Sequence, residues 1–542
     1  MNINLQSESI QSEEVVVIAE KGVIHKEVSN TEMVVTEGQI QEASGVREIN
    51  SFITRLPGVE TSDEGFLTIR GGSADQVGSM VNGFSYVNSA VGNAETSIPL
   101  SAIDQVSLTS GGYNAEYGNF RSGLINITTK SGSKDAYHGT YSFSMDNSHQ
   151  RRFGDSFYDP KNSALRPYLD ADVAFIGTEA AWAEDDYLRQ QYPKFSGWNA
   201  ITNAYNTGLP VEKQATPLDL YLFTTWMHMA EPDYEGLAKQ GYYVSDEQKQ
   251  LFKDHRMQEE GRDWNIDAGF GGPIPFISKE LGDATFYISH NSKEKHYVMP
   301  LTRNSEMSHV TLATIKSTPW QSTTISYNGL WKTQTGLSPI RPAWGDQPNS
   351  GAAGGFMPSF NIKYQANNPD YWYDQALFPI LSQSTVMSGI TINHVFNPSS
   401  FIEFTLGYSV IQNRSDVGDN RDTSIVTNFG PFIVDESPYN KLQDVGTHRV
   451  GDFVFPSYDA PLGIPRRFRR KEGNLYDNTK TSQLQAKIDY TVRFGDHNYV
   501  KAGVEYNYIN LNHKLWEKWN ENAYNVYEFN YHRWPSQTGI YI

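Results

Sequence analysis

The sequence contains no cysteine, which excludes disulfide frameworks, thiolate metal sites and cysteine nucleophiles together. It has no run of about 18 apolar residues, so no transmembrane helix is expected. Basic residues are in deficit: 44 Lys and Arg stand against 62 Asp and Glu, a formal net charge of −18. A nucleic-acid binder needs a basic patch to neutralise phosphates, so nucleic acid is not an expected partner, and the surplus carboxylates read as a solvated acidic surface. The N-terminus lacks a basic stretch followed by an apolar one, so no export signal is visible and the start is expected to be missing or processed. There is no His-Glu-x-x-His motif, no Walker-type loop and no triad on a rigid scaffold. Catalytic residues, metals and cofactors are therefore not expected. The run Asp416, Asp419 and Asp422 does not fit an EF-hand and reads as a solvated acidic loop.

What is present is aromatic and alternating. Aromatics make up 13% of the chain, with 32 Tyr, 27 Phe and 11 Trp, while mean hydropathy is only −0.53. Ile402, Phe404, Leu406, Tyr408 and Val410 alternate with Glu403, Thr405, Gly407 and Ser409. Leu484 to Arg493 and Val500 to Tyr508 follow the same rule across the turn 495–498. Similar alternation covers 139–146, 264–270, 284–288 and 325–331, and more weakly 309–316 and 390–396. Period two puts one set of side chains on each face of a strand, and Lys487, Asp489 and Arg493 at polar positions require that face to be wet.

The spacing between strands predicts how they are joined. Short connections fall near 272–283, 317–321, 397–400 and 495–498, and long ones near 147–261, 293–306, 334–384, 414–479 and 512–536. A strict short–long parity belongs to a membrane barrel, whose two ends face different compartments. Nine strands and the opening of a tenth at Gly539-Ile540-Tyr541-Ile542 are expected. They would leave open edges in lipid. The chain is thus read as cut at both ends, supplying the first part of a barrel of about 22 strands, the size class with a plugged lumen.

Ahead of the alternating region lies a series of short apolar strings ending at Gly or Asn, residues that permit positive φ in tight turns. These are Leu56-Pro57-Gly58, then Arg70-Gly71-Gly72 after Leu67-Thr68-Ile69, then Asn82-Gly83. Gly111-Gly112 and Glu116-Tyr117-Gly118 follow, and Asn126 lies in the closing string Gly123 to Lys130. Their order and spacing resemble the plug domain of TonB-dependent outer-membrane receptors, of the Oar-like and SusC-like kind found in Bacteroidota. Asn82 stands where the family often has Asp.

The resemblance implies a mainly β architecture, with a small α+β plug inside a large antiparallel transmembrane β-barrel. Residues 1–39 would form an N-terminal segment, 40–133 the plug and 134–542 a partial barrel with long extracellular loops. Glu14, Val15, Val16, Val17, Ile18 and Ala19 resemble the TonB box, an extended strand able to add to a partner's sheet so that backbone pairing transmits a pull. The implied partners are TonB with its inner-membrane motor complex, outer-membrane lipids and a SusD-like lipoprotein lid. The implied ligands are a siderophore, an oligosaccharide or a peptide, and the implied location is the outer membrane of a Gram-negative bacterium. Tyr86, Asn88 and Asn93 are expected at the ligand-facing apex of the plug. Trp226, Trp344 and Trp372 are expected in loops as stacking surfaces for a bulky ligand. Two other readings remain: a surface adhesin or assembly protein using the same fold, and a soluble β-rich glycan-processing enzyme.

Overall fold

A computed structural model describes the chain from residue 32 to residue 537, apart from 62–66, 89–92, 112–119, 151–155, 182–194, 256–259, 298–302, 338–379, 417–442, 457–473 and scattered positions of one or two residues. Its N-terminal domain holds strands β1 (Glu32–Thr36), β2 (Val59–Thr61), β3 (Leu67–Ile69), β4 (Val77–Val81), β5 (Phe84–Ser85), β6 (Val87–Asn88), β7 (Asn93–Ala94), β8 (Ile103–Thr109) and β9 (Gly123–Thr129). Helices α1 (Glu37–Glu42) and α2 (Ile49–Ile53) lie between β1 and β2. The main sheet runs β1-β8-β9-β4-β5, with β4 and β9 parallel and the other neighbours antiparallel. Ile53, Ile69, Ile125 and Ile127 are fully buried at its centre, each contributing about 1.5–3 kcal/mol by leaving water. The chain reverses between β4 and β5 through Asn82 (φ 51) and Gly83 (φ 84). Two successive positive φ values make the two-residue hairpin whose twist matches its strands.

A single long-stranded sheet follows. Its members are β10 (His138–Met145), extended by β11 (His149–Gln150) paired with β12 (Glu260–Gly261), then β13 (Trp264–Pro273), β14 (Thr285–His296), β15 (Ser305–Trp320), β16 (Thr323–Leu337), β17 (Ile380–Asn397) and β18 (Ser400–Asp416). A small sheet, β19 (Gln443–Asp444), β20 (Thr447–Val450) and β21 (Phe453–Pro456), precedes β22 (Asn474–Phe494), β23 (Asn498–Asn520), β24 (Ala523–Arg533) and β25 (Ser536–Gln537). The long strands are antiparallel to their neighbours in chain order, with β10 and β24 at the two ends of the path and β25 pairing β23. Among the described residues the sheet does not close.

Alternation sorts the two faces as the sequence predicts. Phe270, Ile288, Val386, Ile390, Leu406, Tyr408, Ile488, Tyr490 and Val504 stand exposed on the outer face. Asp267, Ser289, Asn328, Lys332, Gln383, Thr405, Gln485 and Asp489 point inward and are buried. The predicted ends need correction. The strands are longer than the alternating stretches, and the loop expected over 512–536 is strand: β23 continues to Asn520, only 521–522 intervene, and β24 follows. Beyond the outer apolar band a strand has water on both faces, so period two ceases to be required and stops marking it. The short–long parity fails at that connection, and residues 539–542, expected to open the tenth strand, lie outside the described residues.

The excursion at 147–261 also needs correction: it is a helical unit, not an open loop. It contains α3 (Arg166–Leu169), α4 (Ala171–Ala174), α5 (Thr178–Ala181), α6 (Trp198–Asn206), α7 (Pro217–His228), α8 (Tyr234–Lys239) and α9 (Asp246–His255). Its core gathers Tyr168, Phe175, Phe195, Trp198, Tyr221, Phe223, Trp226 and Phe252. In α7 every residue from Leu220 to Trp226 is buried. Buried polar groups are matched: the Trp198 indole donates to Tyr168 O at 2.8 Å, and the Tyr221 hydroxyl donates to Leu169 O at 2.5 Å while accepting from Asp233 N at 2.9 Å. The Asp233 carboxylate caps α8 through Gly236 N at 2.9 Å.

Candidate functional site

The N-terminal domain sits against the inward face of the long sheet, and the register of the wall orders the contact. Gly271, Tyr287, Thr314, Asn328, Gly389, Gly407, Gln485 and Asn507 are successive partners across eight strands, forming one row along the hydrogen-bonding direction. Tyr287 donates its hydroxyl to Ser101 O at 2.7 Å. The hydroxyls of Thr314 and Thr129 meet at 3.2 Å. Asn82 Nδ2 donates to Asn328 Oδ1 at 2.7 Å and to Thr129 Oγ1 at 2.7 Å, while Asn82 Oδ1 accepts from Thr129 N at 2.9 Å. Gly389 and Gly407 leave a hollow filled by the Phe84 ring, and Ser85 N donates to Gln485 Oε1 at 3.2 Å. The turn Asn82-Gly83-Phe84-Ser85 thus reads a single row of the wall.

Three further rows lie beyond it. The next is apolar at its middle, where Leu312, Leu330 and Met387 join the core of the N-terminal domain. The one after contains Asp267, Asn291, Val310, Lys332 and Thr385. Asp267 accepts from Leu100 N at 2.8 Å and Ser101 N at 3.1 Å, closing the otherwise open N-terminal end of a short 3-10 turn. Lys332 pairs with Glu95 at 3.1 Å, the two being 3% and 17% exposed, and reaches Ser97 Oγ at 3.4 Å. In the last row Lys293 meets Glu48 at 3.1 Å, and Lys295, on the same strand, pairs with the other carboxylate oxygen. Burial alone would raise the Glu48 carboxyl, but the two ammonium groups outweigh it and hold the pKa at about 2.

The seam is therefore mostly polar. Each neutral hydrogen bond is worth about 0.5–1.5 kcal/mol net because water offers a substitute. Displacing the domain from the wall exchanges these bonds for water and opens its core only where Leu312, Leu330 and Met387 join it.

The structure scatters the residues predicted from sequence. Gly58 and Gly71 adopt positive φ, and Arg70 (φ 50) shares the left-handed turn with Gly71. Leu56 is buried, while Pro57 is exposed. Gly72 lies so close to Ser122 that a Cβ would fall 2.4 Å from Ser122 Cβ, and Gly111 lies beside Arg70. Asn126 is on β9, its side-chain oxygen buried and without a hydrogen-bond partner among the described residues.

Two predicted ligand contacts require correction. Tyr86 is not presented at an apex: it is 2% exposed and belongs to the shared core, drawn in by Tyr86 N bonding to Ser79 O on β4 at 2.8 Å. Its hydroxyl has no hydrogen-bond partner among the described residues, and burial, aided by Glu95, pushes its pKa upward. Trp226 is 2% exposed inside the helical unit and offers no stacking face. Asn88 and Asn93 pair across the β6–β7 hairpin. Glu14 to Ala19, Gly112, Glu116, Tyr117, Gly118, Trp344 and Trp372 lie outside the described residues. Sequence reading missed Glu48, Phe84, Glu95, Asp267, Lys293, Lys295 and Lys332. The signal available for four of these was a charge at an inward position of an alternating strand.

Residues 25–123 match the protein-family model described as the TonB-dependent Receptor Plug Domain. The N-terminal domain is a plug domain of the TonB-dependent receptor kind. Over 99 residues it is 28% identical to the TonB-dependent transporter Oar of Myxococcus xanthus, a match covering 18% of this chain and 9% of that protein. Among solved structures it is similar to the ferric enterobactin receptor of Pseudomonas aeruginosa, at 11% identity and a TM-score of 0.45, covering 89% of this chain and 49% of that one. The unliganded ferric citrate transporter FecA gives 9% identity and a TM-score of 0.46, covering 95% of this chain and 51% of that one. The chain spans about half the length of those receptors. The N-terminal domain is the part of the chain that matches the plug model, and the long sheet is the wall on which it rests.

Proposed function

We propose that this chain is the plug and the first part of the wall of an active importer in the outer membrane. The outward apolar band meets lipid, the short connections face the periplasm, and the helical unit stands on the outside. A ligand binds on the outer side, the TonB motor complex grips the segment around residues 14–19 and pulls, and the plug leaves its seat. No chemical bond in the ligand changes. The observation that carries this reading is the seam, where the plug is held by exchangeable hydrogen bonds and ion pairs around one small apolar patch. The ligand belongs to the siderophore, oligosaccharide or peptide class, and a SusD-like lipoprotein fits as a partner for the larger ones. The boundaries 1–39, 40–133 and 134–542 describe the corresponding division of the chain.

The test is deletion of residues 14–19 in the full-length receptor. Uptake of the ligand into cells should be lost, while ligand binding at the cell surface should persist. If growth on the ligand, or its accumulation, were unchanged by the deletion, the alternative of a surface adhesin would replace the importer.

A further inference from the structure

The connection between β13 and β14 differs from the other short ones. Those after β15, β17 and β22 are 321–322, 398–399 and 495–497, whereas this one runs over 274–284. It is built rather than slack. Ile277 N donates to Pro275 O at 2.9 Å around Phe276, whose φ is 68. A three-residue turn closed over a positive-φ centre is the strained form of the γ-turn, and a bulky residue is the least favourable occupant of its centre. One helical turn follows, with Leu281 N bonded to Ile277 O at 3.1 Å and Gly282 N to Lys279 O at 3.1 Å. Ser278 and Ala284 close the segment through two bonds of 2.9 Å, and Thr318 N ties it to the next hairpin through Gly282 O at 2.8 Å.

All this order holds apolar side chains in the open. Phe276 is fully exposed, Ile277 is 49% exposed and Leu281 is 44% exposed, while Trp320, two residues beyond Thr318, is 65% exposed. Strain kept in order to expose a phenyl ring calls for something that covers the ring. The neighbouring outer face names the occupant. Tyr137, Phe270 and Phe286 cluster there with centroids 5.8 to 6.4 Å apart, Tyr137 stacked on Phe270 and Phe286 tilted against both, and Phe270 belongs to the apolar band assigned to lipid.

We propose that residues 274–284 form a foot that inserts Phe276, Ile277 and Leu281 into the interfacial zone of the phospholipid leaflet on the short-connection side. This rests on the reading of the sheet as a membrane wall. Continuity with the aromatic stack favours lipid over a protein partner, and Lys279, Glu280 and Asp283 stand at headgroup level. The foot joins β13 and β14, the two strands bearing Asp267, Lys293 and Lys295. It pins to the bilayer the part of the wall that carries load when the plug is pulled.

The chain contains no cysteine, so no thiol within it competes with a single label placed in the full-length receptor, any cysteine elsewhere being replaced first. Nitroxides at Lys279→Cys and Ile288→Cys, in liposomes of phosphatidylethanolamine and phosphatidylglycerol, would be compared for accessibility to oxygen and to a water-soluble nickel chelate. The label at 279 should report a depth between that at 288 and bulk water. Adding Phe276→Ser with Ile277→Ser should move it to water and leave the label at 288 unchanged. A label at 279 that is already aqueous with Phe276 and Ile277 intact, or shielded from both reagents as in a protein contact, would overturn the foot. An aqueous label at 288 would overturn the membrane wall, and the foot with it.

Discussion

Phe84 occupies the space that a side chain on Gly389 would need. A Cβ there would lie 2.2 Å from Phe84 Cε1, and one on Gly407 would lie 2.4 Å from Cδ1. The ring is 2% exposed, so it has little room to yield. Gly389→Val should therefore unseat the plug at a cost of about 1–3 kcal/mol from overpacking. Phe84→Ala should cost about 3–5 kcal/mol by leaving a cavity. Protease sensitivity of the plug in the folded receptor, followed against urea, reads both. Equal resistance in Gly389→Val and the parent would mean that Phe84 does not seat the plug.

Lys332 and Glu95 are both well covered, and removing one strands the other. Lys332→Met should loosen the plug by on the order of 3 kcal/mol, because an unpaired charge remains in the seam. Adding Glu95→Gln should recover most of that loss. A double-mutant cycle on the urea midpoint of plug release measures the coupling, and additive effects would exclude a direct pair.

Acid should weaken the same seat through Glu48. Its carboxyl lies at about 2 in the folded protein against an ordinary value of 4.5. The stabilisation from its two lysines is complete above about pH 4.5 and is lost as pH falls toward about 2. The urea midpoint of plug release should fall across that window. In Glu48→Gln this component of the pH dependence should be absent, with a weaker seat already at neutral pH.

The helical unit should fail independently of the plug. Trp198→Ala removes a fully buried indole and the hydrogen bond it gives to Tyr168 O, a loss of about 3–5 kcal/mol. Near-ultraviolet circular dichroism should lose intensity, and new proteolytic cuts should appear within 156–255, while the plug stays as resistant as in the parent. Simultaneous exposure of the plug would show that the two cores are coupled.

The sequence made the wall legible wherever lipid lies on one side and plug on the other, because only there does a strand have to alternate. Past that zone the signal stops: Leu511, Leu515 and Trp519 fall on the parity that was polar before, although the strand continues to Asn520. The helix 217–228 was hidden for the opposite reason, since a segment buried all round shows neither period two nor an amphipathic stripe. The turns at Arg70-Gly71 and Asn82-Gly83 were readable because backbone geometry is local. The clamps were not. Glu95 and Lys332 are 237 residues apart, and nothing near either residue names its partner. Tyr86 was placed by resemblance, and its burial depends on the hydrogen bond from Tyr86 N to β4.

The length of β23 sets a height. Its 23 residues span about 76 Å at roughly 3.3 Å per residue, or about 58 Å along the pore axis at the usual tilt of about 40°. The apolar belt of such walls is only about 25 Å tall. In a membrane most of the surplus has to rise on the far side from the short connections, as a parapet on the order of 30 Å high around the entrance. On the proposed outer-membrane reading, anything approaching from outside would meet that rim well before it met lipid.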